Sequence, residues 1–422
     1  MPTIFLRGML SAALIALTAG AAMAADDAAT PMADQRGSVV DRARPAYDAI
    51  GIRAGGFTVF PKATLGGTYD DNIYATDVNE TDDFITTLGT SVLVQSNWSR
   101  HALNFNAGVK QYLYTDNDDE DRLDWNIGAD GVIDVTRNTQ FAGGLSYAQL
   151  HEDRGDPSTP AAAKEPTEYS LFSGNVSALQ RFNRLSVKLA GEYNDYDYDD
   201  VENTIGGIID QDGRDRVETL ESLRFGYDVT PDTNIYVQAG LNQREYDLQP
   251  PAVATNRNSD GYDAVIGSDF RLGALFQGGI YGGYQEQKYD SALYPSIDGP
   301  SYGANIEWYV TPMTTVTFDA DASIQETTSV GASGYFSQSF GVRVDHELVR
   351  NILLNARVSY SDDEYEGIAR SDDTLRGGLG LDYLVNRNFT LGVDYGYTDK
   401  DSDQIGSDYK RNEIGLTLTG KL

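Results

Sequence analysis

Alternation with a period of two constrains this chain more than any other feature. Ile352, Leu354, Ala356, Val358 and Tyr360 interleave with Leu353, Asn355, Arg357, Ser359 and Ser361. Leu375, Gly377, Leu379, Leu381 and Tyr383 then alternate with Arg376, Gly378, Gly380 and Asp382, and Phe389, Leu391, Val393, Tyr395 and Tyr397 with Thr390, Gly392, Asp394, Gly396 and Thr398. Successive strand side chains point to opposite faces, so each segment is a strand with one apolar and one wet face. The links are in turn a few residues at Asn386-Arg387-Asn388 and a longer acidic stretch from Asp362. That rhythm describes an up-and-down antiparallel meander.

Which face is wet decides the architecture. A small soluble barrel fills its interior with apolar side chains. Here the inner face would hold Arg, Asp, Asn, Lys and Gly in strand after strand, so the fold expected is an all-β transmembrane up-and-down antiparallel β-barrel around water. A mean hydropathy of -0.41 agrees with this, since half of each spanning strand faces water.

Carried along the chain, the reading places tight turns at 97–100, 135–138, 180–183, 230–233, 271–273, 311–313, 348–351 and around Asn386. Longer Asp-, Gly- and Pro-rich connections fall at 70–83, 115–121, 153–166, 198–213, 247–259, 290–299, 327–333, 362–371 and 399–407. These breaks separate about eighteen strands, an even number that puts both ends of the barrel on one side. The strands exceed the roughly nine to eleven residues needed to span, so they project on the side of the long loops. Tyrosines crowd that end: Tyr69, Tyr74, Tyr112, Tyr114, Tyr193, Tyr196, Tyr198, Tyr246, Tyr289, Tyr360, Tyr365, Tyr395 and Tyr397. They are expected to form an outer aromatic belt. The final segment, Tyr409 to Leu422, is amphipathic in the same way.

Before the barrel, Arg7, the apolar run Met9 to Ala21 and Ala22-Met23-Ala24 read as a signal peptide over residues 1–24. Residues 25–55 form a periplasmic N-terminal tail with a basic patch at Arg36, Arg42, Arg44 and Arg53, and residues 56–422 form the outer-membrane barrel. The tail either hangs free or dips into the lumen. A net charge of -32 makes nucleic acid a poor partner. With Cys 0 there is no disulfide framework, cysteine nucleophile or lipid-anchoring cysteine.

The runs Arg42-Ala43-Arg44-Pro45-Ala46-Tyr47-Asp48, Gly51-Ile52-Arg53-Ala54-Gly55, Tyr69-Asp70-Asp71-Asn72-Ile73-Tyr74 and Asn97-Trp98-Ser99-Arg100-His101 resemble the putative beta-barrel porin family of proteobacterial outer-membrane proteins. The resemblance implies location in the outer membrane and, through some members, an association with exopolysaccharide export. It supplies no catalytic residue and no cofactor.

Two constellations are candidate functional sites. Lys110, Lys188, Glu192, Arg224, Asp228, Asp269, Arg271, Asp319, Asp321, Arg343, Asp345, Arg357, Arg376, Asp382 and Asp394 share the inward phase of their strands. Such a wall suits hydrated, hydroxyl-bearing or ionic solutes and does not suit an apolar ligand. Asp118, Asp119, Glu120, Asp197, Asp199, Asp362, Asp363, Asp399 and Asp401 form acidic rims at the long loops. None has EF-hand spacing. Diffuse divalent cations bridging them to lipopolysaccharide, and a weak cation preference at the entrance, are the expectations. The remaining partners expected are outer-membrane lipids, the barrel assembly machinery and periplasmic export components. His101, His151 and His346 are scattered, and no Gly-x-Ser-x-Gly elbow occurs, so no enzyme is expected. The sequence thus points to passage or export of a hydrophilic substrate, with a non-conducting structural or surface-interaction barrel as the alternative.

Overall fold

The computed structural model describes residues 37–160, 162–248 and 256–422. The signal peptide over 1–24, the first part of the tail through Arg36 and the middle of the 247–259 connection lie outside the described residues. Eighteen antiparallel strands form the wall. They are β1 Phe57–Asp70, β2 Asp83–Ser96, β3 Ala102–Tyr114, β4 Arg122–Asp134, β5 Thr139–His151, β6 Glu168–Phe182, β7 Leu185–Tyr198, β8 Arg216–Thr230 and β9 Thr233–Tyr246. The second half holds β10 Ser259–Leu272, β11 Phe276–Tyr289, β12 Ile297–Thr311, β13 Thr314–Gln325, β14 Tyr335–Val349, β15 Ile352–Tyr365, β16 Ser371–Leu384, β17 Phe389–Ser402 and β18 Tyr409–Lys421. Each pairs with its sequence neighbour, and β1 closes on β18 from Lys62↔Lys421 to Asp70↔Glu413. A further short strand, Ile52–Ala54, folds back on the start of β1 through Gly55, whose φ of 62° suits a residue without Cβ.

Most short breaks fall where turn chemistry predicts, while those expected at 180–183 and 271–273 lie slightly later, at 183–184 and 273–275. Pro231 and Pro312 occupy two-residue turns, and register slips beside them between Asp228 and Thr230 and between Tyr309 and Thr311. Asn183 adopts a positive φ of 58° in another. At the opposite end the strands run further than expected. The acidic run at 362–364 lies inside β15, and Asp399 and Asp401 lie inside β17. The ladder continues there through Asp363↔Asp372 and Asp399↔Lys410, so acidic composition does not end a strand whose alternation and pairing persist.

Outward faces are apolar and exposed: Leu88, Ile127, Leu145, Val176, Leu189, Ile266, Leu379 and Leu416 are among them. Near the short turns Phe57 packs edge-on against Trp98 at 5.4 Å between ring centres, and Phe276 stacks on Trp308 at 5.9 Å. Near the long loops outward tyrosines donate to polar groups, Tyr69 to Asp82, Tyr284 to Asp298 and Tyr397 to Asp399. An apolar band between two aromatic girdles is what a bilayer requires of a closed barrel.

Candidate functional site: the lumen and its two mouths

Strand parity splits the expected tyrosine belt in two. Tyr69, Tyr193, Tyr360, Tyr395 and Tyr397 face outward. Tyr112, Tyr114, Tyr196, Tyr198, Tyr246, Tyr289 and Tyr365 share the phase of the lumen charges and turn inward, joined by Tyr169, Tyr335 and Tyr409. At the long-loop mouth Tyr112, Tyr114 and Tyr289 are half-buried and the other inward tyrosines buried, with Tyr169 stacked on Tyr198 and Tyr335 on Tyr365. A belt was expected because tyrosine suits the interface; half of these tyrosines instead have arginine partners inside.

The arginines come from loops and strand tops. Arg214 lies 3.9 Å over the Tyr198 ring, Arg216 4.4 Å over Tyr196, Arg370 4.4 Å over Tyr365 and Arg257 5.0 Å over Tyr294. Each stacked pair contributes about 0.5–2 kcal/mol depending on how dry it is. The in-plane N–H groups remain free for carboxylates. Arg154 forks onto Glu120, Arg214 onto Glu152 and Arg370 onto Asp372, which also receives Lys400 at 3.1 Å. Arg244 and the Tyr246 hydroxyl meet on Glu326. Burial alone would raise Glu326, but Arg244 and Arg257 outweigh it and hold the carboxyl below its usual range. Within this collar lies a cavity of about 440 Å³ bounded by Tyr169, Tyr198, Arg214, Arg216, Arg244 and Tyr246.

One connection crosses the mouth. Residues 152–166 leave β5, and Asp153 reaches Arg411 on β18 at 3.3 Å while Ser158 accepts from Thr328 of the β13–β14 loop. Gly155 passes so close to Tyr409 that a Cβ there would sit 2.5 Å from its hydroxyl.

The short-turn mouth is occupied differently. Residues Ser38 to Asp48 sit inside it, with Val39 1% exposed and its N–H donating to Thr315 Oγ1 at 3.0 Å. Arg44 reaches Glu347 at 3.1 Å and also caps the Val39 carbonyl, Arg42 stands 3.9 Å from the same carboxylate, and Arg387 donates to the Pro45 carbonyl at 2.7 Å. The stretch around Ser38 to Arg44 therefore enters the lumen, while Ile50 and Ile52 further along the tail stay exposed.

Between the mouths the wall is wet. The predicted lumen residues keep the inward phase, yet Glu192, Arg271, Arg357 and Arg376 remain exposed. Lys110 lies over Tyr112, Arg224 over Tyr236 and 3.5 Å from Asp269, and Arg343 forks onto Asp345. Lys188, Asp228, Asp319, Asp321, Asp382 and Asp394 are half-buried on the same face. The acidic rim does not hold as one set. Glu120 is 1% exposed beneath Arg154, because the arginine reaches in from the crossing loop. Asp363 turns inward to accept from Ser337, whereas Asp362, Asp197, Asp199, Asp399 and Asp401 lie on the outer phase. Asp118 and Asp119 stay exposed, the latter paired with Lys164 at 3.0 Å. Asp200, Asp210 and Asp212 form an exposed carboxylate group that the sequence reading did not bring together.

The histidines stay apart. His151 spans Asp124 and Glu168, His101 accepts from the Asp134 N–H, and His346 pairs with Thr314. The collar arginines Arg122, Arg154, Arg214, Arg216, Arg244, Arg257, Arg370 and Arg411 were missed. A partial signal exists in Arg244-x-Tyr246 and Tyr409-x-Arg411, where a spacing of two puts cation and ring on one face.

The profile of the family described as Putative beta-barrel porin 2 matches residues 44–422. Among solved structures, the chain is similar to OccAB4 of Acinetobacter baumannii, with 13% identity, TM-score 0.45 and coverage of 86% of this chain and 98% of that one. It is also similar to Pseudomonas aeruginosa OpdL, with 11% identity, TM-score 0.44 and coverage of 87% and 100%, and to Pseudomonas aeruginosa OccK9, with 12% identity, TM-score 0.46 and coverage of 87% and 98%. Among curated proteins none matches.

Proposed function

The chain belongs to the Putative beta-barrel porin 2 family and is an outer-membrane protein, and on that premise we propose that it is a gated passage for hydrophilic, polyhydroxylated solutes, an exopolysaccharide chain among them. The observation that carries this is the hollow middle: Glu192, Arg357 and Arg376 point inward and stay exposed although both mouths are occupied. A permanently filled barrel would pair or bury such groups. The collar supplies aromatic faces for sugar rings and forked donors for hydroxyl and carboxylate oxygens. The reading assigns no catalytic step. Partners that fit it are lipopolysaccharide held through divalent cations at the outward carboxylates, the barrel assembly machinery, and periplasmic export components.

Planar bilayers test the passage: purified protein should give discrete conductance steps that dextrin or alginate oligomers reduce from one side. Folded protein that gives no steps, with or without residues 25–50, would sink it. The non-conducting structural barrel is then the reading, and the Asp153–Arg411 pair across the outer mouth is the observation favouring it.

A further inference from the structure

The middle of the lumen contains an arrangement that sheet physics disfavours. Arg343 on β14 and Arg357 on β15 are direct cross-strand partners on one face, and like charges so placed destabilise a sheet unless something offsets them. Arg343 has its own counter-ion in Asp345. Among the described residues Arg357 has only a 3.5 Å contact with Asn355, and it lies over Gly378, where a Cβ would come within 2.7 Å of the guanidinium carbon. Arg376 stands two residues from Gly378 on the same face, opposite Ser359, and makes no ion pair within 4.0 Å among the described residues. Both Arg357 and Arg376 are exposed to the lumen. Nearly halfway round the barrel, at middle depth, Lys188 and Arg224 are again direct partners. In a chain of net charge -32, that second pair is offset by Asp269, 3.5 Å from Arg224, whereas Arg357 and Arg376 have no carboxylate within 4.0 Å among the described residues.

We propose that Arg357 and Arg376 form an oxyanion-binding station for an acidic, hydroxyl-bearing solute in transit. Two adjacent guanidinium forks match the geometry of a carboxylate or phosphate, while Ser359 and Asn355 beside them offer partners to neighbouring hydroxyls. The inference rests on the passage reading and narrows its substrate to anionic glycans.

Calorimetry on the mature protein in detergent, with folding checked by heat-modifiable migration, separates this from conduction. Trigalacturonate at low salt should bind saturably, its methyl ester should not, and rising salt should abolish binding. Arg357→Gln with Arg376→Gln should weaken it roughly tenfold, and the double lysine variant by less, since charge is kept while the fork is lost. Equal affinity for the ester, or for the glutamine variant, overturns the station. Equal affinity for inorganic phosphate overturns its specificity for a sugar-borne anion. Binding without channels would leave the station standing and remove the passage; channels without binding would do the reverse.

Discussion

The two mouths of the lumen are closed by different means. At the outer mouth Arg154, Arg214, Arg244, Arg370 and Arg411 each meet a different carboxylate, Glu120, Glu152, Glu326, Asp372 and Asp153 in turn, of which Glu152 and Asp153 are neighbours on the crossing connection. At the inner mouth one carboxylate, Glu347, gathers Arg42 and Arg44 from the N-terminal segment and Arg350 from its own strand end. Several ion pairs at one end, and at the other one shared carboxylate beside the Val39–Thr315 and Arg387–Pro45 hydrogen bonds, mean that the ends should yield to perturbation unequally. The outer collar ties strand tops to the connections between them, whereas the inner insert is a length of chain that can leave without breaking a strand of the wall.

The largest expected effect follows from removing that insert. Protein lacking residues 25–50 should conduct severalfold more than the full mature chain in planar bilayers and should keep its heat-modifiable migration. Unchanged conductance would mean the insert does not limit passage, and the contrast between the mouths would lose its meaning.

Glu347→Gln comes next. It leaves Arg42 and Arg44 in a buried site without their counter-charge, a loss of about 3–5 kcal/mol where a buried pair is broken from one side, and here the segment can escape by undocking. Proteolysis within 37–50 should accelerate and conductance should move towards that of the truncated protein. Glu152→Gln removes one carboxylate of the outer collar and should leave conductance near wild type, because the other pairs hold. Equal opening by both variants would erase the distinction.

A smaller, graded effect belongs to the connection that crosses the outer mouth. Burial, with Glu152 adding to it, pushes the Asp156 carboxyl up to about 7. In a solvated loop the same group titrates near about 3.9. The docked loop therefore holds its proton more tightly, and docking loses stability as pH rises from about 4 to 7, with no further loss above. Amide exchange across 153–160, corrected for its intrinsic rate, should be slower at pH 6 than at pH 8. Asp156→Asn should make it slow at both. The same pH response in variant and wild type would remove Asp156 as the cause.

Much of this was readable from alternation. Tyr196 and Tyr198 share the parity of Lys188 and Glu192, so their inward direction was available in the sequence, while Tyr193 is of the opposite parity and faces out. The belt reading holds for Tyr69, Tyr193, Tyr360, Tyr395 and Tyr397 and fails for the inward tyrosines, because it counted tyrosines at strand ends without asking which face each occupied. Other features had no periodic signal. Arg154, Arg214 and Arg257 act from connections whose path depends on what they meet across the mouth, and Glu120 is buried only because Arg154 arrives there. The docking of Arg42 and Arg44 likewise depends on Glu347, some three hundred residues later.

The smallest predicted effect tests that parity argument directly. Asp363 and Asp399 both read as rim carboxylates and both lie near strand tops, yet they stand on opposite faces. Asp363 points inward, opposite Asp372, and accepts from Ser337 at 2.6 Å. Asp399 points outward, where Tyr397 donates to it at 2.9 Å and Lys410 stands 3.1 Å away. A charge on the lumen wall lies within a Debye length of permeating ions, about 10 Å at 0.1 M salt, whereas an outward charge paired with a lysine adds little to the field inside. In asymmetric salt, Asp363→Asn should shift the reversal potential slightly away from cation preference, and Asp399→Asn should leave it where it was. The Asp363 effect should fade near 1 M, where screening shortens to about 3 Å. If Asp399→Asn changed selectivity as much as Asp363→Asn, the two residues would share a space, and the division of the rim between lumen and outer surface would be wrong.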